Sequence, residues 1–384
     1  MLALGAATGS GCGRASAPLP TTSPMVPAPA EACVLTAGEP GGLDTVSVGP
    51  LPFEGLLLRR LESPIRFDCL GQPRPGLATA WSSDSSGRSW TLVLAAGGVA
   101  AADLVSEWRA RGATLSALQW AGVESMVPLD RRRLVVTLRR PSATVPTIFA
   151  DPSLAVPTLG DGGVVLDLVS HRGDDPRDAL DRGADLLQTD DPGVVEYAAS
   201  RPDLLTVELP WSRTYLLLVP DGDPIGLSIE ADSAAFRAAL ARDAVRGAAR
   251  AAEPPFWWEH PPACGSTPSP AAAGRQRVGG AIAYPLRDRT ARELAERIVA
   301  LSDGMTTKGL EEADLAPALH AGSERAYVIS LARRVLVPCR ELSGWPTGAI
   351  IVPLIDTRSS LIVRRGVPAL TLEWDGSVRL EERR

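Results

Sequence analysis

The chain has 384 residues, a formal net charge of −6, 45% hydrophobic and 22% charged residues, which is a globular composition with room for two or three domains and too apolar for wholesale disorder. Mild acidity without a clustered basic stretch argues against nucleic acid as the main partner, and no run approaches the roughly 20 apolar residues that cross a bilayer. There is no Asn, and Lys308 is the only lysine, a mark of base composition first and of bidentate surface pairing only second.

Residues 1–12 form a short apolar stretch closing on small residues, as export signals do. Gly9-Ser10-Gly11-Cys12 resembles a bacterial lipobox, in which Cys12 would be acylated; the alternative is a flexible leader with an incidental thiol. Residues 13–32, rich in Pro, Ser and Ala, read as a disordered tether. Cys33, Cys69, Cys264 and Cys339 remain, and in an exported chain they suggest two disulfides with three connectivities open. Local pairing, Cys33 with Cys69 and Cys264 with Cys339, is expected because each pair lies within one candidate lobe. The alternative is four buried thiols in a cytosolic protein.

From Cys33 to Leu94 the pattern is short strands and turns, with Trp90, Leu92 and Leu94 alternating on one strand face. Residues 101–111 place Leu104, Val105 and Trp108 at helical spacing, and strands follow at 122–127 and 133–138. Arg177 to Gly183 reads as a short helix, 184–187 as a buried strand, and 191–200 as a helix opened by Asp-Pro. Strands at 204–209 and 214–219 flank Pro210-Trp211. An Ala/Arg-rich amphipathic helix is predicted over 231–252, then a Pro-rich excursion over 254–274 carrying Trp257 and Trp258. A strand at 278–284, helices at 289–302 and 315–321, and strands at 327–331, 349–354, 360–363 and 369–373 close the chain. Helices and strands are thus mixed rather than regularly alternating, an α/β chain without internal repeats.

Enzyme chemistry finds little support. No Gly-x-Ser-x-Gly elbow, phosphate loop or dinucleotide fingerprint follows a strand. The three histidines, His171, His260 and His320, have no carboxylate or cysteine at ligand spacing on a helix. The acidic cluster Asp174-Asp175-Pro-Arg-Asp178 reads as a solvated turn capping a helix rather than a calcium site. No metal, no cofactor and no enzymatic activity are expected.

The order of motifs is similar to family 5 extracellular solute-binding proteins, the peptide- and nickel-binding components of ABC importers. Gly41-Gly-Leu-Asp44, Phe53-Glu-Gly-Leu56 and Pro75-Gly-Leu-Ala-Thr-Ala-Trp81 resemble that family's opening. Ser89 to Leu94, Ala101-Ala-Asp-Leu-Val105 with Trp108, and Arg133 to Leu138 before Arg140-Pro141 resemble the elements that follow. Phe236-Arg-Ala-Ala-Leu-Ala-Arg-Asp243 is similar to its hinge helix. The chain departs from the pattern at Ala95-Ala-Gly-Gly98 and is shorter in the second lobe.

The resemblance implies a two-lobed periplasmic binding protein-like (type II) fold with mixed sheets and an inter-lobe cleft. Lobe I is expected over 33–227 and 346–384, and a reduced lobe II over 228–345. The implied function is capture of a peptide-like or other small polar solute for an ABC permease, by a monomer in the periplasm or at the cell surface, anchored through an N-terminal lipid. A degenerate domain acting as sensor or envelope interaction module is the alternative. Trp211, Tyr215, Trp257, Trp258, Trp345 and Arg358 are the candidate ligand-binding residues, because aromatics cover ligand carbon at little entropy cost and Arg358 can clamp a carboxylate. For Arg358 a surface ion pair is the competing assignment.

Overall fold

In the computed structural model, residues 33–35, 45–48, 61–111, 122–142, 147–156, 167–170, 175–220, 234–253, 280–301, 304–333, 349–367 and 369–380 are described. The expectations for the export signal and tether, Cys12, Trp257, Trp258, Cys264, Cys339 and Trp345 lie outside the described residues.

Two short strands, β1 (Val34–Leu35) and β2 (Thr45–Val48), come first, followed by a hairpin of β3 (Ile65–Phe67) and β4 (Pro73–Pro75). Asp68 closes that hairpin: its carboxylate accepts from the Leu70 and Gln72 amides at 3.0 and 2.9 Å and from Arg74 Nη2 at 2.6 Å. Cys69, in the same turn, is disulfide-bonded to Cys33 next to β1, so one of the expected pairings is present.

A local antiparallel unit follows. It comprises β5 (Ala78–Ser83), β6 (Ser89–Leu94), the helix Ala101–Ala110, β7 (Val123–Pro128) and β8 (Arg133–Leu138), in sheet order β5-β6-β8-β7. The alternation read in the sequence is what buries Trp90, Leu92 and Leu94. The helix turns Leu104, Val105 and Trp108 onto them, leaving Asp103 and Glu107 in solvent. Trp108 is 1% exposed, and its indole N–H donates to the Leu154 carbonyl at 2.9 Å.

The next strands are β9 (Asp167–Ser170), β10 (Leu186–Thr189) and β11 (Leu204–Glu208). Two helices between them start as their Asp-Pro pairs predict. Asp175 and Asp191 accept from the amides of Arg177 and Gly193, each at 2.8 Å, with proline in the first turn.

Then come β12 (Arg213–Val219), β13 (Ala248–Ala251), β14 (Gly280–Pro285), β15 (Met305–Leu310), β16 (Ala326–Ala332) and β17 (Ile350–Arg358), which form one sheet in the order β13-β17-β12-β16-β14-β15. Helices Ala234–Asp243 and Arg289–Ala300 pack on one face of it, through Leu240, Leu294 and Ile298. Helix Glu312–Ala321 packs on the other, through Leu315 and Leu319 against Leu216, Leu218 and Tyr327. The final strands are β18 (Ser360–Arg364), which joins the sheet β11-β18-β10-β2-β9, and β19 (Leu370–Leu372) with β20 (Val378–Leu380), which pair beside β1.

The chain therefore enters the six-stranded sheet between β11 and β12 and leaves it between β17 and β18. The two crossings stay paired: Leu209 N–H donates to the Ser359 carbonyl at 3.0 Å and Ser212 N–H to that of Thr357 at 3.2 Å. These crossings fall at 209–212 and 359; the lobe boundaries expected at 227/228 and 345/346 lie outside the described residues. Continuous strand pattern on either side of Pro210 and Ser359 hides the transfer, because neither crossing needs a linker.

The predicted helix over 231–252 is corrected. Helix ends at Asp243, and Ala248–Ala251 is instead an edge strand beside β17. Helix propensity of the Ala/Arg run loses there to pairing with β17. Gly247 marks the break, since a Cβ on it would sit 2.7 Å from the Asp190 carbonyl oxygen. The strands β15 and β20 were not anticipated.

Candidate functional site

The crossings gather the chemistry. Register places Leu331, Thr214, Asp356 and Arg250 side by side across β16, β12, β17 and β13. Side chains alternate along a strand, so these residues share one face, while Ser330, Arg213 and Tyr215 occupy the other. The sequence thus presents two different polar clusters on the two sides of one sheet end.

On the first face Asp356 is the organiser. It is 6% exposed, accepts from Thr214 Oγ1 at 2.6 Å through one oxygen, and takes Arg250 Nε and Nη2 at 3.1 and 3.0 Å through the other. Both carboxylate oxygens are therefore satisfied, which is what permits the charge to be buried. Arg250 also lies over one side of the expectation's leading aromatic: its guanidinium carbon is 4.6 Å from the Trp211 ring centroid. Arg358 sits over the same ring at 4.4 Å and pairs with Glu208. Trp211 and Arg358 are thus brought together, with an ion pair present as the competing assignment for Arg358 supposed. Arg358 Nε is buried without a hydrogen bond among the described residues.

One strand further, Arg333 continues the β16 ladder by donating its amide to the Ser212 carbonyl at 2.6 Å. Its guanidinium lies 5.0 Å from the centroid of the Trp374 ring, which belongs to the turn between β19 and β20. Burial, ahead of the nearby Arg250 charge, works to lower the Arg333 pKa, and Asp356 opposes this. The turn after Trp374 comes close to the crossing itself. Gly376 has φ +79° and a Cβ there would meet the Ser212 Cβ at 2.8 Å, so both backbone and space call for glycine.

On the opposite face Tyr215 is 5% exposed, inside the core under helix Arg289–Ala300. Its hydroxyl donates to Asp288 Oδ1 at 3.1 Å, and that oxygen also accepts the Ala291 amide at 2.9 Å as the helix cap. Arg213 Nη1 donates to Ser330 Oγ at 2.8 Å beside them. Burial first, then the Asp288 charge, pushes the Tyr215 pKa well above the usual phenol range. Tyr215 and Trp211, four residues apart in sequence, therefore lie in different environments.

Sequence reading missed Arg250, Arg333, Asp356 and Trp374. Asp356 did leave a signal: it is the one carboxylate in the otherwise apolar run Ile350-Ile-Val-Pro-Leu-Ile-Asp356. Arg250 was hidden by the helical pattern of its neighbours, and nothing local distinguishes Arg333 or Trp374. Among the described residues no His/Cys/Asp/Glu group has the arrangement of a metal centre, and no helix is long and apolar enough to cross a membrane.

No family model and no curated protein matches the sequence. Solved structures do match the fold. A dipeptide-binding protein from Pseudoalteromonas sp. SM9913, in complex with Met-Leu, is 12% identical with a TM-score of 0.60, over 87% of this chain and 98% of that one. NikA from Brucella suis, in complex with Fe(III)-EDTA, is 12% identical with a TM-score of 0.58, over 87% and 98%. The murein tripeptide-binding protein MppA of Escherichia coli is 12% identical with a TM-score of 0.54, over 88% and 99%. The architecture is that of the two-lobed periplasmic binding proteins, with mixed α/β sheets joined by crossing strands. At these identities the likeness is one of fold.

Proposed function

We propose that this chain is an extracytoplasmic solute-binding protein of the family 5 type, which captures a peptide-like or other small polar solute between its lobes and presents it to an ABC permease. The observation that carries the proposal is the Trp211–Arg250–Arg358 stack at the paired crossing strands, in a fold shared with a dipeptide-binding protein in complex with Met-Leu and with a murein tripeptide-binding protein. A solute seated at such a crossing touches both lobes, so its binding energy is available to shift an open–closed equilibrium. In this reading Trp211 and Arg358 form part of the ligand wall, with Trp257, Trp258 and Trp345 as further candidates. The chain is a binding protein and not an enzyme, resides in the periplasm or at the cell surface, and is held there by a lipid on Cys12.

Thermal unfolding against dipeptides, tripeptides, amino acids, sugars and metal chelates tests the reading. A solute that binds only the folded chain raises Tm by mass action, with a free-energy gain of about 2.7 kcal/mol at a hundred times its Kd. One class, peptides first, is expected to do so, with loss of the effect in Trp211→Ala. If no class shifts Tm, transport is abandoned in favour of a sensor or envelope interaction role.

A further inference from the structure

The turn joining β7 to β8 exposes apolar and cationic side chains together. Val127 and Leu129 are 49% and 54% exposed, two of the few large apolar side chains that the described residues leave in solvent. Arg131, Arg132 and Arg133 follow them, all exposed and the only three consecutive basic residues in the sequence. The turn that presents them is held rather than loose. Asp130 Oδ1 accepts the Arg132 and Arg133 amides at 2.8 Å each, and the Leu129 N–H donates to the Arg133 carbonyl at 2.8 Å. The Arg131 and Arg132 carbonyls accept the Ala101 and Leu94 amides at 2.9 and 2.7 Å, which straps the tip to the helix start and to β6. Asp130 also accepts from Arg133 Nε at 2.5 Å, so one acid cancels one base. Arg131 and Arg132 form no ion pair among the described residues, although Asp103 stands in the first turn of the helix that starts beside them.

The apolar character runs on from the tip. Leu134 and Val136 are buried in the core, so Arg133 and Val135 stand on the outer face of the sheet. Register puts Val127 opposite Val135 and Val93 opposite Arg133, so Val127 and the half-buried Val93 and Val135 adjoin the arginines. We infer that this tip, with the valines behind it, is a contact surface for an anionic lipid bilayer, Val127 and Leu129 entering the headgroup boundary while Arg131 and Arg132 meet lipid phosphates. A bilayer fits better than a protein partner. A hairpin tip offers a few side chains, where a stable protein interface takes about 20–30 residues a side, and a bilayer accepts side chains singly. Arginine beside leucine and valine can lay its stem along apolar groups and keep its guanidinium at the phosphates. The whole chain carries −6, so attraction to an anionic surface has to come from a local cationic face such as this one. The contact is superficial, since no described helix is long and apolar enough to cross a bilayer. It depends neither on solute binding nor on acylation of Cys12, and beside a lipid chain it would be the second attachment that orients the protein on the membrane.

Vesicle sedimentation of the full chain carrying Cys12→Ala, which removes the expected acylation point, tests the surface. Vesicles of phosphatidylethanolamine with phosphatidylglycerol should retain the protein, and vesicles of phosphatidylcholine alone should not. Raising NaCl from about 0.1 to about 1 M, which shortens the screening length from about 10 to about 3 Å, should release most of it. Arg131→Gln and Arg132→Gln should weaken binding about fivefold for each charge removed, and Leu129→Ala about tenfold. Two controls should bind as the parent does. Leu70→Ala removes a side chain 63% exposed on another turn, and Arg139→Gln with Arg140→Gln removes two exposed charges at the other end of β8. Solute-induced Tm shifts should be the same in all these variants, so failure of this inference and failure of the solute-binding reading are told apart. Equal retention by the two kinds of vesicle, or equal losses in the tip variants and the controls, overturns the inference. Absence of binding to the anionic vesicles overturns it too, and leaves the tip to an acidic protein surface.

Discussion

The unit between Ala78 and Leu138 and the sheet at the crossings are built on opposite plans. The first joins strands close in sequence, each half-buried, around one helix, and among the described residues its longest internal side-chain bond, Arg88 Nε to the Leu138 carbonyl, spans 50 positions. The second joins strands far apart: the Thr214–Asp356 bond spans 142 positions and the Arg250–Asp356 bond spans 106. The local unit spends its sequence on apolar packing, and its aromatic anchor Trp108 is fully enclosed. At the crossings the aromatics are half-buried and stacked with arginine instead. Packing holds the first region, whereas charge and stacking organise the second.

Trp108→Ala should separate the two most widely. It deletes a large core side chain and strands the Leu154 carbonyl, so a loss of about 3–5 kcal/mol is expected, read as a lower urea midpoint. Solute affinity, measured well below that midpoint, should not change. A loss under 1 kcal/mol would mean that the local unit is not held by its core.

Next in size is the bridge between Cys33 and Cys69, which closes a loop of 36 positions. Replacing both by Ala should cost about 2–4 kcal/mol, again without altering solute binding. The free-energy difference between oxidised protein and the double variant under non-reducing conditions checks this, and no difference would remove the bridge from the account of stability.

Asp356→Ala acts on the other region. It leaves the Thr214 hydroxyl and Arg250 without their buried acceptor, a cost of about 1–3 kcal/mol, with the low end favoured because the Arg250 side chain is 47% exposed. Unlike the first two changes, it should also alter solute affinity, because Arg250 would no longer be held against Trp211. Equal effects of Asp356→Ala and Trp108→Ala on affinity would erase the distinction between the regions.

The same contrast explains what could be read from sequence. Trp90, Leu92 and Leu94 announce their strand by alternation, and Leu104, Val105 and Trp108 their helix by spacing, because both signals are complete within one short window. Asp175 and Asp191 announce helix starts for the same reason. The polar cluster at the crossings has no window. Arg250, Arg333, Asp356 and Trp374 come from four separate segments and meet only after β12, β16 and β17 have paired. Trp211 was recognisable because it stands between two strands beside Pro210, and the edge strand at Ala248–Ala251 was concealed by alanine's helical preference.

The smallest expected effect is the most discriminating one. Tyr215→Phe removes only the hydroxyl that donates to Asp288, which keeps the Ala291 amide as a partner. Near neutral pH the cost should be about 1 kcal/mol, a typical net hydrogen bond, and solute affinity should stay the same because the ring is buried on the face opposite Trp211. The alkaline limb adds a sign. Folding raises the Tyr215 pKa above its ordinary value of 10.0, so the neutral phenol is favoured in the folded chain. Its contribution to stability is complete below the unfolded pKa and is lost as pH rises from there toward the folded pKa, because the unfolded chain ionises first. Wild type should therefore lose stability above about pH 10 more steeply than Tyr215→Phe, by about 1.4 kcal/mol per pH unit while only the unfolded form ionises. Equal alkaline slopes would show that Tyr215 is not sealed in the core, and a fall in solute affinity would place it at the ligand after all.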